Sequence, residues 1–324
     1  MLTKRLTCLY NPERFQGWGK RRKYFEGWYY KFLNGDETKA FAVIPGVAMD
    51  AAGIRHSFVQ ILDGKRKTSE YHKFDFESFT ASADRFLVSI GNNRFSENSL
   101  SLDLPGFAGK LYFSGNVPWP KSWRSPGIMG PYSFVPFMEC YHGIISMDHA
   151  VGGSLHCEGE EIDFGGGRGY IEKDWGTSFP KGYIWLQSNH FNDPGISLKI
   201  SVAKIPWLRS SFVGFIAGIW TGDRLISFAT YNGSVLDRVA ADREKVVIVA
   251  SNKNYILEIS ALRDHAVSLA SPIGGLMEGR IGETMSSRVE VNLRDRKGGN
   301  TLFAGTGRNC SLEVAGKVEE ILVG

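Results

Sequence analysis

The sequence has few cysteines and no long hydrophobic run, and each shortage excludes a class of protein. Four cysteines are scattered over 324 residues and form neither a dense disulfide framework nor a CxxC metal or redox spacing. The longest apolar run, residues 212–220, is too short to span a bilayer as a helix. The N-terminus shows no apolar stretch typical of a signal peptide. We therefore expect reduced thiols and a cytoplasmic protein.

A strong excess of charge of either sign is also missing. The formal net charge is +4, and no segment alternates basic with aromatic residues as a nucleic-acid groove does. No nucleic-acid partner is therefore expected. The basic run at residues 20–23 is interpreted as a solvated surface, with a phosphate-bearing ligand or a membrane surface as its alternative partner.

Motifs for cofactors and metals are absent as well. The glycine run 165–169 lacks the Lys-Ser/Thr ending of a phosphate loop, so we interpret it as a hinge. The histidines, among them His142, His149 and His156, show no metal-ligand spacing and are interpreted as isolated side chains. The sequence thus predicts no cofactor and no metal site.

Strand periodicity is what the sequence has instead. Apolar residues recur at every second position in many short segments, and helical periodicity is nearly absent. Turn signals such as Asp63-Gly64 and Asn232-Gly233 separate these segments. Many short strands joined by hairpin turns predict an all-β sandwich or barrel. The aromatic fraction of 13% is high, so these rings must line cores or a ligand cavity.

Two breaks in composition indicate how the chain divides. Prolines and tryptophans cluster in residues 117–136, which predicts a long loop. The glycine run lies near mid-chain, so we predict an N-terminal β domain over residues 1–160 and a C-terminal one over 161–324. Each has the size of one small ligand-binding barrel. The aromatic-rich segments 26–31 and 181–185 open the two halves with similar sequences, which indicates a repeat.

Two segments are more specific than a generic β-protein requires: Phe25-Glu26-Gly27-Trp28-Tyr29 and residues 170–191, which begin Tyr-Ile-Glu-Lys-Asp-Trp-Gly. Both resemble signatures of the tocopherol cyclase family, and residues 306–314 resemble its closing segment. The resemblance implies two lipocalin-like antiparallel barrel or sandwich halves packed together, related to the lipocalin pairs of carotenoid hydratases. It also implies cyclisation of a prenylated quinol to a chromanol without a redox cofactor, with the greasy ligand held between the halves.

The chain departs from the family pattern at several places. The plant enzymes have Asn where this sequence has Asp174, they carry longer insertions in the first half, and they differ around Glu139. The resemblance therefore supports an expectation about the fold more strongly than one about the substrate.

The implied chemistry needs a proton donor, because an acid must protonate a trisubstituted alkene while a phenol oxygen closes on the tertiary cation. A carboxylic acid stays protonated near neutral pH only where burial or a like charge raises its pKa. The catalytic candidates are Glu26, Glu172 and Asp174. Glu26 leads, because strand alternation places it beside Trp28, whose ring face would stabilise the cation.

A second group of residues is predicted to contact the ligand. In the strand that includes residues 183–189, alternation places Gln187 and Asn189 on one face, and an apolar core does not require amides. This face is therefore predicted to line a cavity. The predicted ligand-binding residues are Trp28, Tyr29, Glu139, Trp175, Trp185, Gln187 and Asn189.

Each assignment has a structural alternative. Glu26 could be exposed or paired across a strand, residues 172–174 could form a structural salt-bridge network, and the tryptophans could be plain core residues. The alternatives to a cyclase are a non-catalytic carrier or sensor of a hydrophobic small molecule and an isoprenoid hydratase. A carrier needs a cavity without a buried acid, whereas either enzyme needs both. The expected partner is a prenylated aromatic or isoprenoid molecule, with peripheral membrane contact as a route of ligand access.

Overall fold

A computed structural model describes residues 7–324, and strands dominate its regular structure. The first sheet has 12 strands: β1 (Tyr24–Leu33), β2 (Ala40–Met49), β3 (Arg55–Asp63), β4 (Thr68–Asp75), β5 (Phe79–Ala81), β6 (Leu87–Ile90), β7 (Asn93–Ser96), β8 (Ser99–Leu104), β9 (Phe107–Ser114), β10 (Cys140–Cys157), β11 (Glu160–Asp163) and β12 (Gly167–Gly176). The second has 10 strands: β13 (Gly182–Ser188), β14 (Ile196–Trp207), β15 (Ser210–Thr221), β16 (Leu225–Ala229), β17 (Val235–Ala241), β18 (Lys245–Ser251), β19 (Tyr255–Leu262), β20 (Val267–Ile273), β21 (Leu276–Asp295) and β22 (Thr301–Gly316). Short 3-10 helices lie at Phe76–Ser78, Gly130–Phe134, Thr230–Asn232 and Val318–Ile321. No helix in the described part of the chain has the length and apolar character needed to cross a membrane.

Neighbouring strands in both sheets run antiparallel, which confirms the expected all-β fold with two antiparallel sheets. The first sheet has the order β4-β3-β2-β1-β12-β10-β9-β8-β7-β6-β5, and β11 pairs with β10. The second has the order β16-β15-β14-β13-β22-β21-β19-β18-β17, and β20 pairs with β21. In the first sheet, β12 therefore lies between β1 and β10, so residues distant in sequence become direct neighbours.

The chain forms two compact units, one of residues up to Phe179 with Leu269–Arg280, the other of Pro180–Ser268 with Ile281–Gly324. This division differs from the sequence-based boundary at residue 160, because β12 follows that boundary yet pairs with β1 and β10. The segment Leu269–Arg280 is tied into the first unit by hydrogen bonds. The amide of Ala270 donates to Gln60 Oε1 (2.9 Å), and the amide of Met49 donates to the carbonyl of Gly275 (3.0 Å).

The segment between β9 and β10 contains the proline-rich residues 117–136. It carries one 3-10 helix, Gly130–Phe134, and an isolated bridge between Ser122 and Ser125. Prolines cannot donate to a strand ladder, which explains why this stretch joins no sheet.

Each sheet has one apolar face, and strand alternation decides which side chains it contains. In the first unit, Trp28 and Tyr30 of β1 belong to the core, and the Trp28 ring stacks on Phe86 with centroids 5.8 Å apart. In the second unit, Ile184 and Leu186 of β13 belong to the core. The intervening residues of the same strands lie on the opposite faces, where many polar side chains are also buried.

His149 is a buried histidine of the first unit. Its ring packs on Phe113 with centroids 4.7 Å apart, and its Nδ1 lies 2.9 Å from Ser146 Oγ. A Cβ atom at Gly169 would come within 2.3 Å of His149 Nε2, so only glycine fits opposite the ring. Burial lowers the pKa of His149 to about 3.

We predict that His149 lowers the free energy of unfolding as the pH falls. The unfolded chain protonates the imidazole below its ordinary pKa of 6.5, whereas the folded chain binds that proton only near pH 3. The stabilisation is complete above pH 6.5 and is lost as the pH falls toward 3, at up to about 1.4 kcal/mol per pH unit. Urea unfolding between pH 7 and pH 4 should show a shallower pH dependence for His149→Asn. Identical slopes in the variant and wild type would contradict a neutral buried imidazole.

Candidate functional site

The carboxylate of Glu26 lies in a buried ion pair on the core side of the first sheet. Its Oε1 is 2.5 Å from Lys173 Nζ, and both side chains are fully buried. The carboxylate also accepts hydrogen bonds from the amides of Gln16 (2.8 Å) and Gly17 (3.0 Å) and from the Tyr24 hydroxyl (2.5 Å). Glu26 is therefore surrounded by donors.

The ammonium of Lys173 has a complete set of partners of its own. It donates to the carbonyls of Pro12 (2.8 Å) and Arg14. It also lies 4.9 Å from the ring centroid of Trp28 and 4.7 Å from that of Trp175. The cation that these two indole rings stabilise is thus the lysine itself.

This environment departs from the apolar pocket expected for an acid at Glu26. Burial raises the pKa of Glu26 and lowers that of Lys173, and the attraction between the two groups opposes both shifts. A carboxylate that accepts four donors is poorly placed to release a proton to an alkene. Trp28 faces Lys173 rather than an open site. For Glu26 the structure favours pairing across strands, the structural alternative.

A second cluster of titratable groups lies on the other face of the same strands. Cross-strand pairing sets His142 of β10 directly opposite Asp174 of β12, with Glu172 two residues along. His142 Nδ1 is 2.6 Å from Asp174 Oδ1, and His142 Nε2 is 3.3 Å from Glu172 Oε2. The hydroxyl of Tyr170 donates to Glu172 Oε2. The imidazole therefore lies between two carboxylates.

Two side chains next to this cluster, Cys140 and Tyr170, are held in their protonated forms. Burial, followed by the charge of Asp174, raises the pKa of the Cys140 thiol well above its ordinary value. Burial and Glu172 likewise raise the pKa of Tyr170. Both side chains thus remain hydrogen-bond donors to the carboxylates. Glu172 is almost fully buried, whereas the side chain of Asp174 is 24% exposed.

The same three side chains could also hold a metal ion. One ligand atom each from His142, Glu172 and Asp174 lies within 4.8 Å of the other two. Imidazole and carboxylate ligands suit several divalent cations. Sequence spacing could not indicate this set, because its members come together only through pairing of β10 with β12.

The predicted ligand-binding residues divide among four places, three of them in the first unit. Trp28 and Trp175 lie with the ion pair, and Trp175 also stacks on Tyr141 with centroids 5.5 Å apart. Tyr29 pairs with Glu172 across β1 and β12 and so shares its face. Glu139 precedes β10, where its carbonyl accepts a hydrogen bond from the amide of Thr177 (2.8 Å).

The remaining predicted residues belong to the second unit. Trp185 and Gln187 lie on β13, on the face opposite its apolar core, and Asn189 follows the strand. All three are buried, and their predicted contact with a ligand stays a prediction. Gln187 pairs directly with Lys199 of β14, a fully buried lysine that sequence reasoning did not single out.

The sequence analysis did not single out three buried or half-buried residues: His142, Lys173 and Lys199. Alternation correctly separates Lys173 from Glu172 and Asp174 along β12. It cannot show which residue of another strand lies opposite. His142 lies within β10, after the proline-rich residues 117–136, and no spacing rule in the sequence connects it with β12.

Comparison with known proteins relates most of the chain to one family. A family model described as tocopherol cyclase-like matches residues 115–316. A probable chloroplastic tocopherol cyclase of Oryza sativa subsp. japonica is 26% identical over 144 residues, which are 42% of this chain and 30% of the relative. A chloroplastic tocopherol cyclase of Zea mays is 25% identical over 194 residues, 56% of this chain and 40% of the relative. The chain thus spans less than half the length of either relative. The predicted cytoplasmic location stays a prediction.

Solved structures support the fold. CghA with Sch210972 has a TM-score of 0.56 at 10% sequence identity, with 90% of this chain and 88% of that chain covered. A putative AttH from Nitrosomonas europaea has a TM-score of 0.50 at 13% identity, with 89% and 92% covered. Both likenesses cover nearly the whole chain and show a shared lipocalin-type fold.

A double-mutant cycle tests the ion pair between Glu26 and Lys173. Glu26→Gln and Lys173→Met should each destabilise the protein by about 3–5 kcal/mol, because each leaves a buried charge without its partner. The double variant should be clearly more stable than the sum of the two losses predicts. Denaturant unfolding measures all four proteins.

The matched control is Glu77→Gln, which breaks an exposed pair with Arg55 whose side chains are 74% and 43% exposed. It should cost less than about 1 kcal/mol. Additive losses at positions 26 and 173 would show that the two charges do not depend on each other.

Proposed function

Because the chain belongs to the tocopherol cyclase-like family, we propose that it is a cyclase of the isomerase or intramolecular lyase type. Its proposed substrate is a prenylated quinol or related isoprenoid, closed to a ring by acid catalysis without a redox cofactor. The observation that carries the proposal is the imidazole of His142 between the carboxylates of Glu172 and Asp174. All three residues lie within the matched range.

Glu172 is the proposed acid. It is buried beside a neutral donor, the hydroxyl of Tyr170, whereas Glu26 is paired with the ammonium of Lys173. Plant members of the family have Asn at the position of Asp174. An amide can hold an imidazole ring but cannot deliver a proton, so the acid role falls to Glu172. Asp174, 2.6 Å from His142 Nδ1, is the proposed positioning residue that orients the ring.

The proposed proton path is short. Glu172 gives its proton to the less substituted alkene carbon, and a C–H bond forms as the O–H bond breaks. The phenol oxygen closes on the tertiary cation, and its proton leaves to His142 Nε2. That atom lies 3.3 Å from Glu172 Oε2, so the proton can return to the acid. The product is an isomer of the substrate, and no other reactant is consumed.

The proposed ligand contacts follow from the faces of the sheets. Tyr29 shares the face of Glu172 and is proposed to contact the ligand. Trp185, Gln187 and Asn189 are proposed to do so in the second unit, on the evidence of their burial outside its apolar core. Trp28 and Trp175, which face Lys173, are better explained as partners of the buried cation.

Turnover of a prenylated hydroquinone, followed by chromatography and mass spectrometry, tests the assignment. Glu172→Gln should lower turnover by about a hundredfold or more and leave affinity nearly unchanged, because the amide keeps the size but not the proton. Asp174→Asn should lose less, since Asn can still hold His142. Glu161→Gln, on exposed β11, serves as the control.

Other outcomes would replace the proposal. Full activity of Glu172→Gln would remove Glu172 as the acid. Binding without turnover by the wild type would indicate a carrier, and a product heavier by one water would indicate a hydratase. Activity that disappears with a chelator and returns with a divalent cation would assign the His142 cluster to a metal.

We also propose that the proline-rich loop contacts a membrane surface, since a prenylated substrate partitions into lipid. Trp123, Phe134 and Phe137 are 71%, 46% and 52% exposed. This loop and the two residues after it, Phe137 and Met138, contain Lys121 and Arg124 but no acidic residue; Lys121 is paired with Glu13 (2.8 Å), and Arg124 lies over the ring of Trp123. Exposed aromatic rings among basic side chains suit the interface of an anionic bilayer.

Replacing Trp123, Phe134 and Phe137 together by Ser should weaken binding to vesicles of equimolar phosphatidylcholine and phosphatidylglycerol. The loss should be on the order of tenfold or more, because each large apolar side chain contributes about 1.5–3 kcal/mol when fully buried. Cosedimentation measures it. Leu208→Ser, at an 82% exposed position of the second unit, is the control. Equal binding by the triple variant and wild type would contradict the proposal.

A further inference from the structure

Three exposed segments of the first unit meet at one end of its sheet. The amide of Lys23, just before β1, donates to the carbonyl of Asp50 in the turn from β2 to β3 (2.8 Å). The turn from β20 to β21 packs on the same place, because a Cβ atom at Gly275 would clash with backbone atoms of Tyr24 and Met49. We call these three segments the basic end of the sheet: residues 20–23, 50–54 and 273–275.

The basic end exposes cationic and apolar side chains together. Residues 20–23 read Lys-Arg-Arg-Lys, and all four are exposed. Ile54 and Ile273, one in each turn, are 67% and 63% exposed. Arg22 lies close to the first of these turns, since a Cβ atom at Gly53 would be 3.9 Å from its Nε atom. Cations beside apolar side chains suit a partner that is anionic at its surface and apolar beneath it.

The charge of this basic run is not compensated within the protein. None of residues 20–23 forms an ion pair with a residue that the structure describes. Asp50 instead accepts the amide of Gly53 (2.6 Å), and Glu77 pairs with Arg55 (3.0 Å). Two further acids are exposed near this end, Asp75 and Glu278. The excess of positive charge is therefore concentrated at residues 20–23.

A second basic run, residues 65–67, lies at the opposite end of the sheet and differs in this respect. It occupies the turn from β3 to β4, where Arg66 is paired with Glu158. Beside it, Lys39 is paired with Glu160 (2.7 Å). Carboxylates thus neutralise cations at that end, whereas residues 20–23 present theirs to solvent.

The proline-rich loop enters the sheet at the basic end as well. It leads into Cys140, the first residue of β10, which pairs with Gly176. Gly176 in turn pairs with Phe25 at the start of β1. Phe137, three residues before Cys140, is 52% exposed. A broad, flat partner can contact the loop and the basic end at once, which favours a membrane over a compact acidic protein.

We propose that the basic end binds an anionic membrane surface, with residues 20–23 at the lipid phosphates and Ile54 and Ile273 among the headgroups. The choice of a membrane rests on the proposed function, whose isoprenoid substrate partitions into lipid. Residues 20–23 add a contact that depends on lipid charge to the contact made by the proline-rich loop.

Cosedimentation with vesicles of equimolar phosphatidylcholine and phosphatidylglycerol tests this contact. The triple variant Lys20→Gln, Arg21→Gln, Arg22→Gln should bind on the order of a hundredfold more weakly than the wild type, because each basic side chain near an anionic surface strengthens binding about fivefold. The wild type should likewise lose most of its binding on vesicles of phosphatidylcholine alone.

The matched control is the triple variant Lys65→Gln, Arg66→Gln, Lys67→Gln, which removes the same charge from the opposite end. β2 has 10 residues, so this run lies about 30 Å from the basic end. That distance exceeds the Debye length of about 10 Å at 0.1 M salt, and binding should change less than about threefold.

Three outcomes would overturn this inference: equal binding by the two triple variants, equal binding of the wild type to neutral and anionic vesicles, or retention on immobilised polyglutamate without binding to vesicles, which would indicate an acidic protein. Turnover of a detergent-dispersed prenylated hydroquinone is read separately. Turnover without vesicle binding would leave the proposed cyclase and overturn the membrane contact. Charge-dependent vesicle binding without turnover would leave the contact and overturn the cyclase.

Discussion

The ion pair between Glu26 and Lys173 constrains everything around it in the first sheet. Two opposite charges that are both removed from water must remain together, since either alone would be strongly destabilising. Carbonyls of Pro12 and Arg14 and the ring of Trp28 complete the surroundings of the ammonium. The core side of β1 and β12 therefore holds residues 12–17 against the sheet.

Alternation along β12 places three consecutive residues on two faces of the sheet. Lys173 points to the ion pair, whereas Glu172 and Asp174 point away from it and meet His142. A shift of one residue in strand register would exchange the two sets. β13 repeats the arrangement, with Leu186 in the core and Gln187 on the polar face. Stability and the proposed function are thus encoded in alternate positions of the same strands.

Period-two alternation and turn residues were enough to predict the all-β class, and the division into two antiparallel halves came from the break near mid-chain and from the family resemblance. Alternation also placed Glu26 and Trp28 on one face of their strand, and Glu172 and Asp174 on one face of theirs, but Glu26 and Glu172 were expected to approach each other, whereas the register of β1 with β12 puts them on opposite faces. Alternation could not identify the partner strand, because β1 and β12 are far apart in sequence and their register depends on long-range pairing. For this reason Lys173 was not recognised as the partner of Glu26, nor His142 as the neighbour of Asp174. The difference between the predicted boundary near residue 160 and the observed division of the chain has the same cause, because that boundary separates β12 from the sheet that contains it.

The central claim is that Glu26 stabilises the fold while Glu172 and His142 perform the chemistry. A crystal structure with a bound prenylated chromanol tests it most directly. We predict the ring oxygen within hydrogen-bond distance, about 2.6–3.2 Å, of Glu172 or His142, with the ion pair of Glu26 and Lys173 intact. A ring oxygen bound to Glu26, with Lys173 displaced from the carboxylate, would contradict the claim.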